Sequence, residues 1–136
     1  MVEIDTPAAL FREAAALASQ GRLEDAASAY QRALARWPEP DAWYNLGLLQ
    51  RRLGHFEAAL ECYAQALRRG VSHPEEVHLN RGVIYADCMR QDGAAERELR
   101  ASLAINPVYL PALQNLANLH EDVVRCLTSG KRKAFA

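Results

Sequence analysis

Trp43-Tyr44-Asn45-Leu46-Gly47 sets the reading of this chain, because its register returns twice. With Gly47 placed over Gly82 and Ala117, the surrounding segments read WYNLGLL, HLNRGVI and LQNLANL. Asn45, Asn80 and Asn115 then fall 35 residues apart. Between them a second pattern repeats. Gly21, Ala26, Tyr30 and Ala33-Leu34 return as Gly54, Ala59, Tyr63 and Ala66-Leu67, and a third time, with slippage, as Ala95, Leu99 and Ser102-Leu103. A unit of that length is too small to bury its own apolar face, so the period predicts stacked helical repeats.

Working outward, apolar and small residues recur at helical spacing in seven segments, separated by short Gly, Pro or polar breaks. Thr6-Pro7 is a start signal, since Thr6 can cap while Pro7 takes the first helical position. The first helix is expected to end near Gly21. The second runs from about Leu23 to Arg36, the third from Pro40 to Leu53 and the fourth from Phe56 to Arg69. Ser72-His73-Pro74-Glu75-Glu76 restarts the chain with acids where the helix dipole favours them. The fifth helix is expected to end near Arg90, with Gln91-Asp92-Gly93 as its turn. The sixth reaches Ile105, and the seventh extends from Tyr109 to Leu127.

The bulk numbers suit this plan. The chain has 136 residues, 50% of them hydrophobic but only 7% aromatic, and a net charge of −1. Near-neutrality argues against nucleic acid or a membrane surface as partner. No apolar run approaches the ~20 residues that cross a bilayer, and the first fifteen residues do not read as a signal peptide. Cys62, Cys88 and Cys126 are odd in number and without a CxxC pair, which reads as three buried thiols in a reducing cytoplasm.

The repeats resemble the tetratricopeptide repeat of bacterial proteins, whose pattern is W-x-x-L-G-x-x-Y, then A-x-x-x-F, then P. The second repeat supplies Trp43, Leu46, Gly47, Ala59 and Tyr63, with Gln50 in the tyrosine slot and Val71 in the proline slot. The first has Ala26, Tyr30, Ala33 and Pro38. The third has Gly82, Tyr85, Ala95, Leu99 and Pro107, with Arg81 in the leucine slot and one extra residue in its turn. The resemblance implies an all-α, right-handed α-solenoid of antiparallel helix pairs. It would form one domain over residues 1–130, with repeats at 7–39, 40–73 and 74–108, a half-repeat at 109–127 and a basic tail at 131–136.

Catalytic and metal constellations do not emerge. His73 and His78 bracket two glutamates, but five residues along a helix turn through ~140°, so the rings diverge. His120-Glu121-Asp122 fans around its helix. No GxSxG and no phosphate loop is present. The expectation is a protein without enzymatic activity, cofactor or metal.

In the resembled family the first helix of each repeat lines a concave groove. That implies a peptide-binding face of Phe11, Arg12, Tyr44, Asn45, Leu48, Arg51, Arg52, Leu79, Asn80, Val83, Asp87, Gln114, Asn115 and Asn118, for a segment of a partner protein. The three equivalent asparagines look like the asparagine ladder of O-linked N-acetylglucosamine transferases, where carboxamides pair with a ligand backbone. The family's chaperone-tail binders instead clamp a C-terminal carboxylate with Lys and Arg. Asn45 matches that clamp, but Phe11 and Asn80 occupy its Lys and Arg slots. The stretch from Leu103 to Asp122 also resembles repeats fused to bacterial sulfotransferase domains, which implies an alternative role as the substrate-presenting arm of a larger sulfotransferase or glycosyltransferase. Finally, Leu113, Leu116, Ala117, Val124 and Leu127 fall where another helix should pack, so a partner or a homodimer is expected at the C-terminal helix.

Overall fold

The computed structural model describes residues 6–128, apart from the side chains of Val123, Cys126 and Leu127. The described residues form seven α-helices and no strand. These are α1 (Pro7–Ser19), α2 (Leu23–Arg36), α3 (Pro40–Arg52), α4 (Phe56–Arg68), α5 (Pro74–Val83), α6 (Asp92–Ile105) and α7 (Leu110–Thr128), with Ile84–Cys88 extending α5 as a π turn. The helices group into two compact units, Met1–Ser72 and His73–Ala136. The division falls at the junction of the second and third repeats.

Local chemistry explains the helix starts. Thr6 caps α1 by accepting a hydrogen bond from the Ala9 N–H at 3.2 Å, and Pro7 follows it. α3 and α5 also begin on prolines, Pro40 and Pro74. At the far end of the first unit, Asp41 accepts from the Ser72 N–H at 2.9 Å and from its hydroxyl at 2.7 Å. The segment leaving α4 is thereby tied to the start of α3.

Within each unit the paired helices approach closely because one residue has almost no side chain. A Cβ placed on Gly47 would overlap the Tyr63 ring, with Cδ1 only 2.6 Å away. At Gly82 the same Cβ would meet Leu99 at 3.1 Å. Ala14, Ala26, Ala59 and Ala95 are all wholly buried, so small residues line both sides of these contacts. The first core gathers Tyr30, Leu34, Leu46 and Leu49 around Ala14 and Ala26, and the second gathers Leu99, Ala112 and Leu119 around Ala95. Ser102, also buried, donates its hydroxyl to the Glu75 carbonyl at 2.8 Å and is thereby satisfied.

The turn between paired helices is where the third repeat departs from the other two. The chain leaves α1 through Gly21 at φ 79° and α3 through Gly54 at φ 83°. The closing bonds run from Arg22 N–H to Leu17 O and from His55 N–H to Gln50 O. In the third repeat the equivalent bond runs from Gln91 N–H to Tyr85 O, spanning one residue more. The extra residue expected in this turn is accommodated inside the helix as the π turn, marked by Met89 N–H to Ile84 O at 3.1 Å. The left-handed slot then falls on Arg90, at φ 56°. Two expectations are corrected here. Asp92 and Gly93 belong to α6 rather than to the turn, because the left-handed residue sits before them. Cys88, at the end of the π turn, is exposed rather than buried, while Cys62 is buried as expected.

The second unit also carries a charged cluster in slots that are apolar in the first. His78, Arg81 and Glu98 stand where the preceding repeat has Trp43, Leu46 and Cys62. Glu98 holds His78 Nδ1 at 2.8 Å and Arg81 Nε at 3.2 Å, all three side chains being mostly covered. Burial pushes the Glu98 carboxyl up, but its bonds to His78 and Arg81 outweigh that and leave it below the ordinary 4.5.

Three outcomes follow. Gly47→Ala should cost about 1–3 kcal/mol in urea unfolding, because the Tyr63 ring must move. Arg90→Gly should stabilise by about 1 kcal/mol, since glycine relieves the left-handed strain; a loss of stability would contradict the turn geometry. A carboxyl depressed in the folded state adds stability above its unfolded value of 4.5, and that stability is lost as pH falls through the folded value. Glu98→Gln should therefore flatten the acid limb of a stability-versus-pH curve below 4.5.

Candidate functional site

The residues expected to face a ligand divide between the two units. In the first, α1 supplies Phe11 and Arg12, and α3 supplies Tyr44, Asn45, Leu48, Arg51 and Arg52. At 100° per residue, Tyr44, Leu48, Arg51 and Arg52 share one side of α3, whereas Ala42, Leu46 and Leu49 point into the core. Arg12, Asn45 and Arg52 are exposed; Phe11, Tyr44, Leu48 and Arg51 are half-buried.

The two aromatic side chains are seated in the same way. Phe11 lies 6.3 Å from the Tyr30 ring and Tyr44 lies 5.7 Å from the Tyr63 ring, centre to centre. Tyr30 follows Phe11 by 19 residues and Tyr63 follows Tyr44 by the same interval. Each of the first two repeats thus props a half-buried inner-helix ring on an outer-helix tyrosine. Burial, then Tyr44, pushes the Tyr63 hydroxyl far up, so it stays neutral.

In the second unit, Leu79 and Val83 of α5 are half-buried, and Leu79 packs against the core that contains Leu99. Asp87, in the π turn, is exposed. On α7, Gln114 donates to Asn118 Oδ1 at 3.2 Å.

The three equivalent asparagines are held in two ways. Asn80 and Asn115 each donate from Nδ2 to the carbonyl one turn back, Glu76 O at 2.9 Å and Pro111 O at 2.8 Å. Asn45 instead hydrogen-bonds across to the Tyr30 side chain, whose hydroxyl is raised by burial and lowered by this bond. A shared slot in the sequence therefore does not mean a shared environment.

The expected partner face on α7 is refined. Leu113, Ala117 and Val124 are exposed, but Leu116 is half-buried against the α5–α6 core. It sits at the border of the open face rather than within it, because its direction on the helix is closer to Ala112 and Leu119. The Leu127 side chain lies outside the described residues.

One feature escaped sequence reasoning. A cleft of about 410 Å³ opens among α2, α3 and α4, with Leu34, Trp43, Leu46 and Cys62 as walls and Gln31 and Glu61 also lining it. It lies on the opposite side of α3 from Tyr44, Asn45 and Leu48. Ala35 and Ala58, which also line it, were the available signal, since they leave the facing outer helices unfilled. Burial, followed by the charge of Glu61, pushes the Cys62 thiol up to about 11, so it is no nucleophile at neutral pH. Among the described residues no group of three or more His, Cys, Asp or Glu could hold a metal ion. No described helix is long and apolar enough to cross a membrane.

Comparison with known proteins bears on this geometry. Two family models, both described as tetratricopeptide repeat, match residues 11–54 and 40–69. Neither reaches the stretch that resembles sulfotransferase-fused repeats. None of the curated protein sequences matches the chain. Among solved structures, a tetratricopeptide repeat protein from Parabacteroides merdae is similar at 25% identity and a TM-score of 0.75, over 83% of this chain. This chain spans 44% of that protein's length. The first TPR of Spaghetti (RPAP3), bound to the HSP90 peptide SRMEEVD, matches at 17% identity and a TM-score of 0.78, over 90% of this chain and 97% of that one. The second TPR domain of human RPAP3, in complex with the HSP70 peptide SGPTIEEVD, matches at 16% and 0.74, over 85% and 98%. At 16–17% identity the likeness to RPAP3 concerns the fold alone. The chain is therefore all-α and carries tetratricopeptide repeats.

Proposed function

We propose that the chain is a non-catalytic protein-interaction module that takes an extended, acidic segment of a partner protein along its inner-helix faces. The observation that carries this reading is the face of the first unit. Phe11 and Tyr44 sit there as half-buried rings propped on Tyr30 and Tyr63, beside Leu48, with Arg12, Arg51 and Arg52 on the same helices. Fixed apolar surface bordered by guanidinium groups suits an anchor side chain flanked by carboxylates. The second unit by itself presents Leu79 and Val83 with the carboxamides of Asn80, Gln114, Asn115 and Asn118, a surface of the same kind.

Support comes from the repeats themselves and from two neighbours that bind peptides, both ending in Glu-Glu-Val-Asp. This chain differs where a free C-terminus would be clamped, since Phe11 and Asn80 stand where the resembled clamp has Lys and Arg. An internal segment is therefore the better ligand than a chain end.

Fluorescence polarisation with labelled acidic peptides of about ten residues, each carrying two leucines, tests this. The double variant Arg12→Glu, Arg52→Glu changes two exposed side chains and should lower affinity at least about tenfold, or ~1.4 kcal/mol. Binding should also weaken with salt. Amidating the peptide C-terminus should change little. Affinity that survives the charge reversals would overturn the acidic-ligand reading, and affinity lost on amidation would overturn the internal-segment reading.

A further inference from the structure

α7 is apolar around half of its circumference, and only part of that arc is covered. Ala112 is fully buried and Leu119 nearly so, with Leu116 at the border. The next sector is open. Leu110 is 73% exposed, Leu113 41% and Val124 56%, and Ala117 between them is exposed as well. In the first unit the slot equivalent to Ala117 is Gly47, covered by Tyr63; in the second it is Gly82, covered by Leu99. Leu110, Leu113, Ala117, His120 and Val124 follow one another at intervals of three, four, three and four residues. That is the spacing of a two-helix seam rather than of a random surface. The strip from Leu110 to Val124 is ~21 Å long at 1.5 Å per residue.

The strip fits a reversed copy of itself. Setting two α7 helices antiparallel about a two-fold axis between Asn118 and Leu119 places Leu113 of one against Val124 of the other. The same register places Ala117 against His120, whose imidazole is half exposed and keeps its Nε2 on Glu96 at 3.3 Å, so the small side chain faces the open part of the ring. Along the flank, Gln114 meets Glu121, an amide donor facing a carboxylate, so no like charges are opposed. An isologous contact must satisfy both copies with one set of residues, and this register does so from Leu113 to Val124. We propose that α7 mediates a two-fold, antiparallel homodimer through Leu110, Leu113, Ala117, His120 and Val124. This surface is separate from the peptide-binding face of the first unit.

Sedimentation equilibrium on the full chain tests both the surface and its orientation. Wild type should be dimeric at micromolar concentration. Leu113→Glu alone and Val124→Lys alone should each weaken association roughly 100-fold, because every dimer then desolvates two unpaired charges. The double variant Leu113→Glu, Val124→Lys should restore it, since each glutamate then meets a lysine across the axis. Both positions are exposed, and circular dichroism should show an unchanged helix signal. A wild type that stays monomeric, or single variants that remain dimeric, would overturn the proposal. Failure of the double variant to recover would overturn the antiparallel register, because a parallel pair leaves Glu against Glu.

Discussion

The contact of Gly47 with the Tyr63 ring is the constraint on which the rest depends. A helix pair closes this far where one backbone presents almost no side chain, and at Gly47 even a Cβ would overlap the Tyr63 ring. Tyr63, so placed, becomes the support for Tyr44, which in turn forms part of the ligand-facing surface. Packing and recognition are thus successive layers of one arrangement. Phe11 on Tyr30 repeats the same stacking in the preceding repeat, without a glycine, because Ala14 is small enough there.

The third repeat shows that the slots of such a pair are exchanged in concert. Trp43, Leu46 and Cys62 give an apolar cleft; His78, Arg81 and Glu98, at the same offsets from their glycine and alanine, give an ion-paired cluster. Arg81 or Glu98 introduced alone would leave a charge covered and unpaired, at several kcal/mol. Introduced together, they satisfy one another. The unit therefore keeps its helix pairing while changing the chemistry of its interior.

The parts of this fold that repeat were legible in the sequence, because the small residues and the large residues that cover them returned at nearly constant intervals. The start of α1 was legible for a different reason, since Thr6-Pro7 is a local signal that needs no tertiary context. What escaped depended on distance or on count. Glu98 reads as one more solvated acid until α5 brings His78 and Arg81 beside it. Cys88 reads as a core thiol until the π turn rotates it outward. The cleft behind Trp43 is an absence of atoms between Ala35 and Ala58, a signal readable only once α2 and α4 are known to face each other. On the candidate site, the positions were readable from the repeat register, but the separate partners of Asn45 and Asn80 were not.

The π turn at Ile84–Cys88 also determines how the repeats can be recombined. Up to Tyr85 the third repeat keeps the register of its predecessors, and from Arg90 onward it resumes it. The additional residue is confined between those two points. A chimera joined inside that window would carry the wrong number of residues into the following helix and rotate its buried face by ~100°. One joined at Gly82 or at Ala95 keeps the count, so the repeats behave as cassettes with defined seams. The insertion itself, absorbed where the helix could widen, left the spacing of both faces intact.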